Sequence, residues 1–351
     1  ISIISGSEVF RGRIKTIESP TQLTIDFERE QPPYLKSIPD IFQGTHEIKL
    51  FDQDTYASKL TRYDPTTGQM TAVGFIPLLP TYGYSWLYLY GWLNGGQFMS
   101  EDGTQCLLDS KPIVQSMQCI NDTSDSMGGY RQLSVFTTSA ASSGLDPFIT
   151  QKVVMVINTP GFIGYIRALR PSMNFGVAAT PMPEKERKAG RKEMGWTGGF
   201  AYAIPSTAKH KEGAWELIKW MASPEAIAML IDQQAQIFAS RGQPFFPPTS
   251  SSKKVTQWIR NKYIINNPTV NANMVQAFDK FVELLPVSKY RPVTPVGQKL
   301  WAEQIRAINS AMTHVKTPYE ALNYGKRRVQ TNLETVLHPP TGPLVNWKIV
   351  I

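Results

Sequence analysis

The stretch Gly195–Leu230, GWTGGFAYAIPSTAKHKEGAWELIKWMASPEAIAML, constrains this chain more than any other. It opens on a tryptophan beside a glycine pair, Trp196 with Gly198 and Gly199. The apolar run Phe200 to Pro205 then reads as a short strand stopped by its proline. From about Lys211 to Met221, the residues Ala214, Leu217, Ile218 and Met221 recur at the spacing of one helical face. Trp215 and Trp220 flank that face and read as packing residues. At Ser223-Pro224-Glu225 a second helix begins: serine caps, proline fits the first helical position, and glutamate favours the positive end.

The 351 residues suffice for a large core and two domains. With 42% hydrophobic and 18% charged residues, the composition is that of a globular protein rather than a disordered one. The net charge of +8 raises the question of nucleic acid. Its densest runs are short, however: residues 184–192 mix both signs, and Lys326-Arg327-Arg328 falls on a solvated helix face, so no nucleic-acid partner is expected. Cys106 and Cys119 are too few for a four-cysteine zinc site, and their pairing is left open. No basic, apolar and small-residue leader pattern opens the chain at Ile1, which fits a mature product, a fragment or a cytoplasmic protein. The uncharged stretch from Met70 to Ser100 is broken by Gly74, Pro77, Pro80, Gly83 and Gly91, so it reads as buried or cleft-lining loop and strand rather than a membrane helix.

Residues 1–50 are β-rich, with alternation in Arg11 to Ile17 and Thr21 to Phe27. A helix, a polar turn at Asp64-Pro65 and Thr67-Gly68, and a strand follow from Asp52. Asp102-Gly103 is a type I′ turn signal. Ile113, Met117 and Ile120 mark a helix, Asn121 to Gly144 reads as loop with one helical turn, and Asp146–Asn158 and Asn174–Pro183 read as strands. Trp301, Ile305, Ile308, Met312 and Val315 form a helical stripe. Thr317-Pro318-Tyr319-Glu320 is a capping box that starts the last helix, with Leu322, Val329, Leu333 and Val336 inward and an end before Pro339-Pro340.

The order of these pieces from Asp52 to Leu337 resembles the ABC-importer solute-binding proteins of family 1, the sugar-binding, maltose-binding-like group. The motifs that carry it are KLT at 59–61, NGGQF at 94–98 with EDG at 101–103, NFGVAATPMP at 174–183, the 195–230 stretch and the closing EAL at 320–322. Gln151-Lys152 stands where that family usually has Gly-Lys. The resemblance implies an α/β, two-lobe periplasmic-binding-protein-like fold with discontinuous lobes and a hinge. In that layout 52–194 build the first part of the C-terminal lobe and 195–250 cross the hinge into N-terminal-lobe helices. Residues 251–338 return to the C-terminal lobe, 1–50 form an atypical segment and 339–351 a tail. The family carries about twice as many residues before its KLT segment, so the N-terminal lobe is truncated, replaced or supplied elsewhere.

Such proteins cover sugar faces with aromatic planes and take hydroxyls with fixed polar groups. Trp196 with Gly198 and Gly199 meets that requirement best. Tyr84 and Trp86 alternate with Tyr88 in a tyrosine-rich strand of which one side faces a cleft or the core. By the resemblance, Trp301 stands near a ligand-stacking tryptophan, Phe162 lies one place beyond another (Gly161 occupies its position), and Arg241 lies in a loop near the cleft. The expected function is capture of an extracytoplasmic solute, a carbohydrate, for delivery to a membrane permease of an ABC transporter, by a monomer or part of a larger assembly. An anionic solute or peptide, or a protein-interaction module completed by another chain, are the alternatives. The four histidines form no metal or triad motif, and no cofactor, metal or catalytic residue is expected.

Overall fold

The computed structural model describes residues 2–5, 8–19, 22–27, 45–49, 53–78, 83–140, 145–198 and 201–338, with side chains from Ala57 onward. Ser37 to Phe42, Gly199, Phe200 and Pro339-Pro340 lie outside the described residues. The chain begins with strands β1 (Ser2–Ser5), β2 (Glu8–Ser19), β3 (Gln22–Phe27) and β4 (Thr45–Lys49), an antiparallel sheet in sequential order. Helix α1 (Gln53–Leu60) and strands β5 (Arg62–Tyr63) and β6 (Met70–Ile76) follow, then helices α2 (Trp86–Leu93), α3 (Lys111–Ser126) and α4 (Gly129–Ala140). Next come β7 (Val153–Val156), α5 (Phe162–Leu169) and α6 (Glu184–Lys188). The remainder is helical: α7 (Lys211–Met221), α8 (Pro224–Ser240), α9 (Lys253–Ile259) with a π-helical turn at Arg260–Ile265, α10 (Ala272–Leu284), α11 (Gly297–Met312) and α12 (Pro318–Leu337).

The chain divides into two compact units. Unit 1 comprises Ile1–Asn158, Met173–Trp196 and Glu283–His338; unit 2 holds Thr159–Ser172, Thr197–Val282 and Pro339–Ile351. In unit 1, β6 is the centre of a three-stranded sheet, antiparallel to β5 and parallel to β7. Its apolar residues are buried in succession, as a strand covered on both faces requires. Helix α1 lies so close to this strand that a Cβ on Gly74 would overlap the carbonyl oxygen of Ala57. The Thr61 hydroxyl closes the contact, donating to Ala57 O at 2.7 Å and accepting from Gly74 N at 3.1 Å.

Helices α2, α3, α11 and α12 enclose the larger core, where Ile113, Met117, Ile308, Met312, Leu322, Val329 and Leu333 are all buried. Thr317 and Glu320 form the capping box in both directions. Glu303 is fully buried and accepts from Lys299 at 2.8 Å, Arg306 at 2.6 Å and Arg328 at 2.9 Å, which ties α11 to α12. Burial alone would raise its carboxyl, but the hydrogen bonds from Lys299 and Arg328 and the nearby positive charges outweigh that and hold it below the ordinary carboxylate range.

Several sequence expectations are corrected. The tyrosine-rich run folds as helix α2, not as a strand, because Trp86, Leu87, Tyr88, Leu89, Trp92 and Leu93 are all buried and a helix inside a core is apolar all round. Of the Asn121–Gly144 stretch, the described residues 121–140 are mostly helical, completing α3 and forming α4. Its hydroxyls bond back along the helix, Thr123 to Cys119 O and Ser124 to Ile120 O at 2.8 Å, Thr137 to Leu133 O at 2.9 Å, so they are satisfied without breaking it. Residues 174–183 and 201–205 form no strand, since neither makes a ladder with a described neighbour. The 146–158 strand shrinks to β7. At Asp102-Gly103 only Gly103 has positive φ, which excludes type I′, and the Asp102 carboxylate instead accepts from Ser100 and Thr104. Val315 and Val336 are exposed. No disulfide joins buried Cys106 to exposed Cys119.

Gly74→Ala should lower stability by about 2 kcal/mol in a denaturant titration, the scale of an overpacked core site whose obstacle is backbone. Glu303→Gln should cost about 2 kcal/mol at neutral pH, less than the about 3–5 of a fully buried pair because its cations are partly solvated. Because the folded carboxyl titrates below its unfolded value of about 4.3, its contribution is complete above that value and is lost as pH falls through the lower folded value. The variant should therefore show a flatter stability loss at acid pH, measured by thermal midpoints from pH 7 to pH about 3.

Candidate functional site

In unit 1 the sequence candidates Tyr84, Trp86, Trp196 and Trp301 come together around one aromatic cluster. Helix α2 supplies Tyr88, 1% exposed, at its centre. The Tyr88 ring lies 4.4 Å from Phe98, 5.6 Å from Trp92 and, nearly coplanar at 7°, 6.4 Å from Trp301 of α11 (centroid distances). Burial raises the Tyr88 hydroxyl pKa far above its ordinary value, although the charge of Arg291 acts against this, so the group stays neutral. Trp86, the first residue of α2, meets Trp196 edge to face at 6.0 Å and 85°, an attractive geometry for indoles.

Exposure sorts these candidates. Trp86 is buried at 6%, so it supports Trp196 rather than presenting a free face. Trp196, Trp301 and Tyr84 are partly buried and pack against the core from its edge. Tyr84 donates to Asn309 Oδ1 at 2.9 Å, and its carbonyl accepts from the buried Gln304 Nε2 at 3.1 Å, which fixes the entry to α2 against α11. Among the described residues, Trp86 Nε1, Trp196 Nε1 and Gln304 Oε1 are buried polar atoms without a hydrogen-bond partner.

Trp196 is held by its backbone. It forms a parallel bridge with Lys289, and Gly195 O accepts from Lys289 N at 2.9 Å. A Cβ on Gly195 would stand 2.5 Å from the Ser288 hydroxyl, which itself donates to Leu284 O at 2.8 Å. Packing thus demands glycine at 195, while Gly198 is exposed and belongs to unit 2. The same 288–291 segment places the Arg291 guanidinium 5.1 Å over the Trp301 ring. Sequence reading missed Arg291, Gln304 and Asn309, which no motif marks; Arg291 stands ten residues before Trp301 and reaches it only because the intervening loop folds back.

The other candidates belong to unit 2. Phe162 starts α5, half-buried, with Tyr165 at 6.4 Å. Arg241 is exposed at the C-cap of α8. Trp215 and Trp220, read as packing residues, are 53% and 54% exposed.

Residues 40–228 match the family of bacterial extracellular solute-binding proteins, more than half of the chain. The chain belongs to that family. Its fold is the mixed α/β, two-lobe fold of binding proteins, seen in the mannotriose-bound CpMnBP1 at TM-score 0.59 and 20% identity, covering 79% of this chain and 64% of that one. The tagatose-bound ABC-transporter solute-binding protein of Thermotoga lettingae gives 0.55 at 18% identity, with 81% and 63% covered. A Brucella abortus protein described as a binding protein is 26% identical over 236 residues, which are 65% of this chain and 47% of that protein. The chain therefore spans about half the length of this relative and under two thirds of the solved ones. Among the described residues, no helix is long and apolar enough to cross a membrane.

The position of Gln151 agrees with the glycine that stands there in the resembling family. Gln151 has φ of 62°, in the left-handed region that favours glycine.

Gly195→Ala should destabilise unit 1 by about 1–3 kcal/mol through overpacking. Ser288→Ala in the same chain should recover part of that loss, because Ser288 Cβ already lies at an ordinary 3.6 Å from the added methyl. A double-mutant cycle read by thermal unfolding checks the coupling.

Proposed function

We propose that this chain captures a carbohydrate outside the cytoplasm and delivers it to an ABC-transporter permease. The observation that carries this reading is the pair Trp196 and Trp301. Each is an indole anchored on a buried aromatic cluster yet partly open to solvent, the arrangement that stacks on apolar sugar faces. The solved proteins of like fold support it, being bound to mannobiose, mannotriose, tagatose and maltotriose. In this reading Trp196 and Trp301 touch solute, and Trp86 and Tyr84 hold them. The protein works by binding, not catalysis, in the periplasm or at the cell exterior. One observation favours an acidic sugar over a neutral one: the exposed Arg291 beside the Trp301 face, in a chain of net charge +8.

Isothermal titration with mannobiose, maltotriose, tagatose and a uronic-acid disaccharide tests the reading. One of these should bind, and Trp301→Ala should weaken it at least about tenfold, or about 1.4 kcal/mol. A preference for the uronate that Arg291→Gln abolishes would select the acidic class. If peptides shift the thermal midpoint and no sugar does, the carbohydrate reading is wrong.

A further inference from the structure

The basic run Lys326-Arg327-Arg328 is not a uniform solvated face, because its three cations meet different surroundings. Lys326 pairs with Asp109 at 3.0 Å, and Arg328 with the buried Glu303 at 2.9 Å. Between them, the Arg327 guanidinium has no ion-pair or hydrogen-bond partner among the described residues. Together with Lys299, Tyr324, Arg328, Thr331 and Thr335 it lines an open groove of about 410 Å³ between α11 and α12. That volume is within the range of small-molecule sites.

Charge in this groove is unbalanced and held in place. Lys299, Arg306 and Arg328 all reach the same oxygen, Glu303 Oε1. One carboxylate cannot neutralise three cations, and Arg327 adds a fourth. The remaining carboxylates of α12 do not make up the difference. Glu320 is closed in the helix cap, Glu334 accepts from Gln330 at 3.2 Å, and neither lines the groove. Glu303, with the Tyr324 hydroxyl 3.5 Å from Arg328 Nη1, orients the Arg328 fork before any ligand arrives. Arginine forks match the oxygens of a phosphate.

Further along α12 the chemistry changes. The Thr331 hydroxyl donates to Arg327 O at 3.0 Å, and the Thr335 hydroxyl to Thr331 O at 2.9 Å. With their hydrogens used, both offer only lone pairs, which accept from a ligand's hydroxyls and repel its anionic oxygens. Thr331 and Thr335 stand four and eight residues beyond Arg327, on successive turns of one helix side. A cationic end followed by an accepting end fits a molecule with a phosphate at one end and hydroxyls along the other.

We infer that the α11–α12 groove binds a soluble phosphate monoester of a sugar or polyol. Arg327, Arg328 and Lys299 take the phosphate, and Thr331 and Thr335 take the hydroxyls. This site is separate from the one proposed for the transported solute: neither Trp196 nor Trp301 lines it. Trp301 is two positions from Lys299, so the two side chains leave α11 on different sides.

Calorimetric titration of the full chain with glucose 6-phosphate and with inorganic sulfate tests the inference. The ester should bind one-to-one, and more tightly as pH rises through about 6, where a phosphate monoester gains its second charge. Arg327→Gln should weaken the ester at least about tenfold and leave the thermal midpoint unchanged, because that side chain has no partner to lose. Thr331→Val should weaken the ester by about threefold while leaving sulfate unaffected. Trp301→Ala should leave the ester affinity as it is. An ester affinity that falls with Trp301→Ala and survives Arg327→Gln places the ester in the solute site and overturns the inference. Sulfate binding as tightly as the ester does so too, since charge alone then explains the groove. So does binding to phosphatidylglycerol vesicles with none to the free ester, which assigns the groove to a membrane surface.

Discussion

Unit 1 is built on the contacts of one buried ring. Tyr88 touches Phe98, Trp92 and Trp301, so the helix that bears it, the hairpin after it and the helix of Trp301 are fixed together. Around that point, burying each large side chain contributes on the order of 2 kcal/mol. Trp86, two residues earlier, then has one position, and Trp196 rests against its edge. The partly open indoles owe their placement to a core they only border.

This arrangement suits a binding protein. Preorganised aromatic planes lose little conformational freedom when a solute arrives, so more of the contact energy appears as affinity. The backbone pins on Trp196, through Gly195 and Lys289, extend the same logic to the point where the chain leaves unit 1 for unit 2. Arg291, carried by the loop that supplies Lys289, sets a charged group over the Trp301 ring of that aromatic surface.

Much of the helical framework was legible because its signals are local. Ser223 accepting from Ala226 N, the Thr317–Glu320 box and the Ile113, Met117, Ile120 spacing each lie within a few residues and need no partner from elsewhere. Where the reading failed, the missing information was non-local. Asn121–Gly144 looked like loop by polarity, yet its hydroxyls found carbonyls one turn back and its apolar residues found a core. Tyr84–Tyr88 looked like a strand because alternation over five residues cannot separate a strand from a helix buried on all sides. For α7 the apolar pattern is present in the sequence, yet among the described residues none of that helix is buried.

The sequence by itself determined the family, the succession of helices and the prominence of Trp196 and Trp301, because caps, periodicity and motif order act over short spans of chain. Tertiary structure alone decided which aromatics stay open and which are buried. It also decided that packing requires glycine at 195 and that Arg291 meets Trp301. Those outcomes depend on distances between residues far apart in sequence, and close packing, which no single segment encodes, sets them.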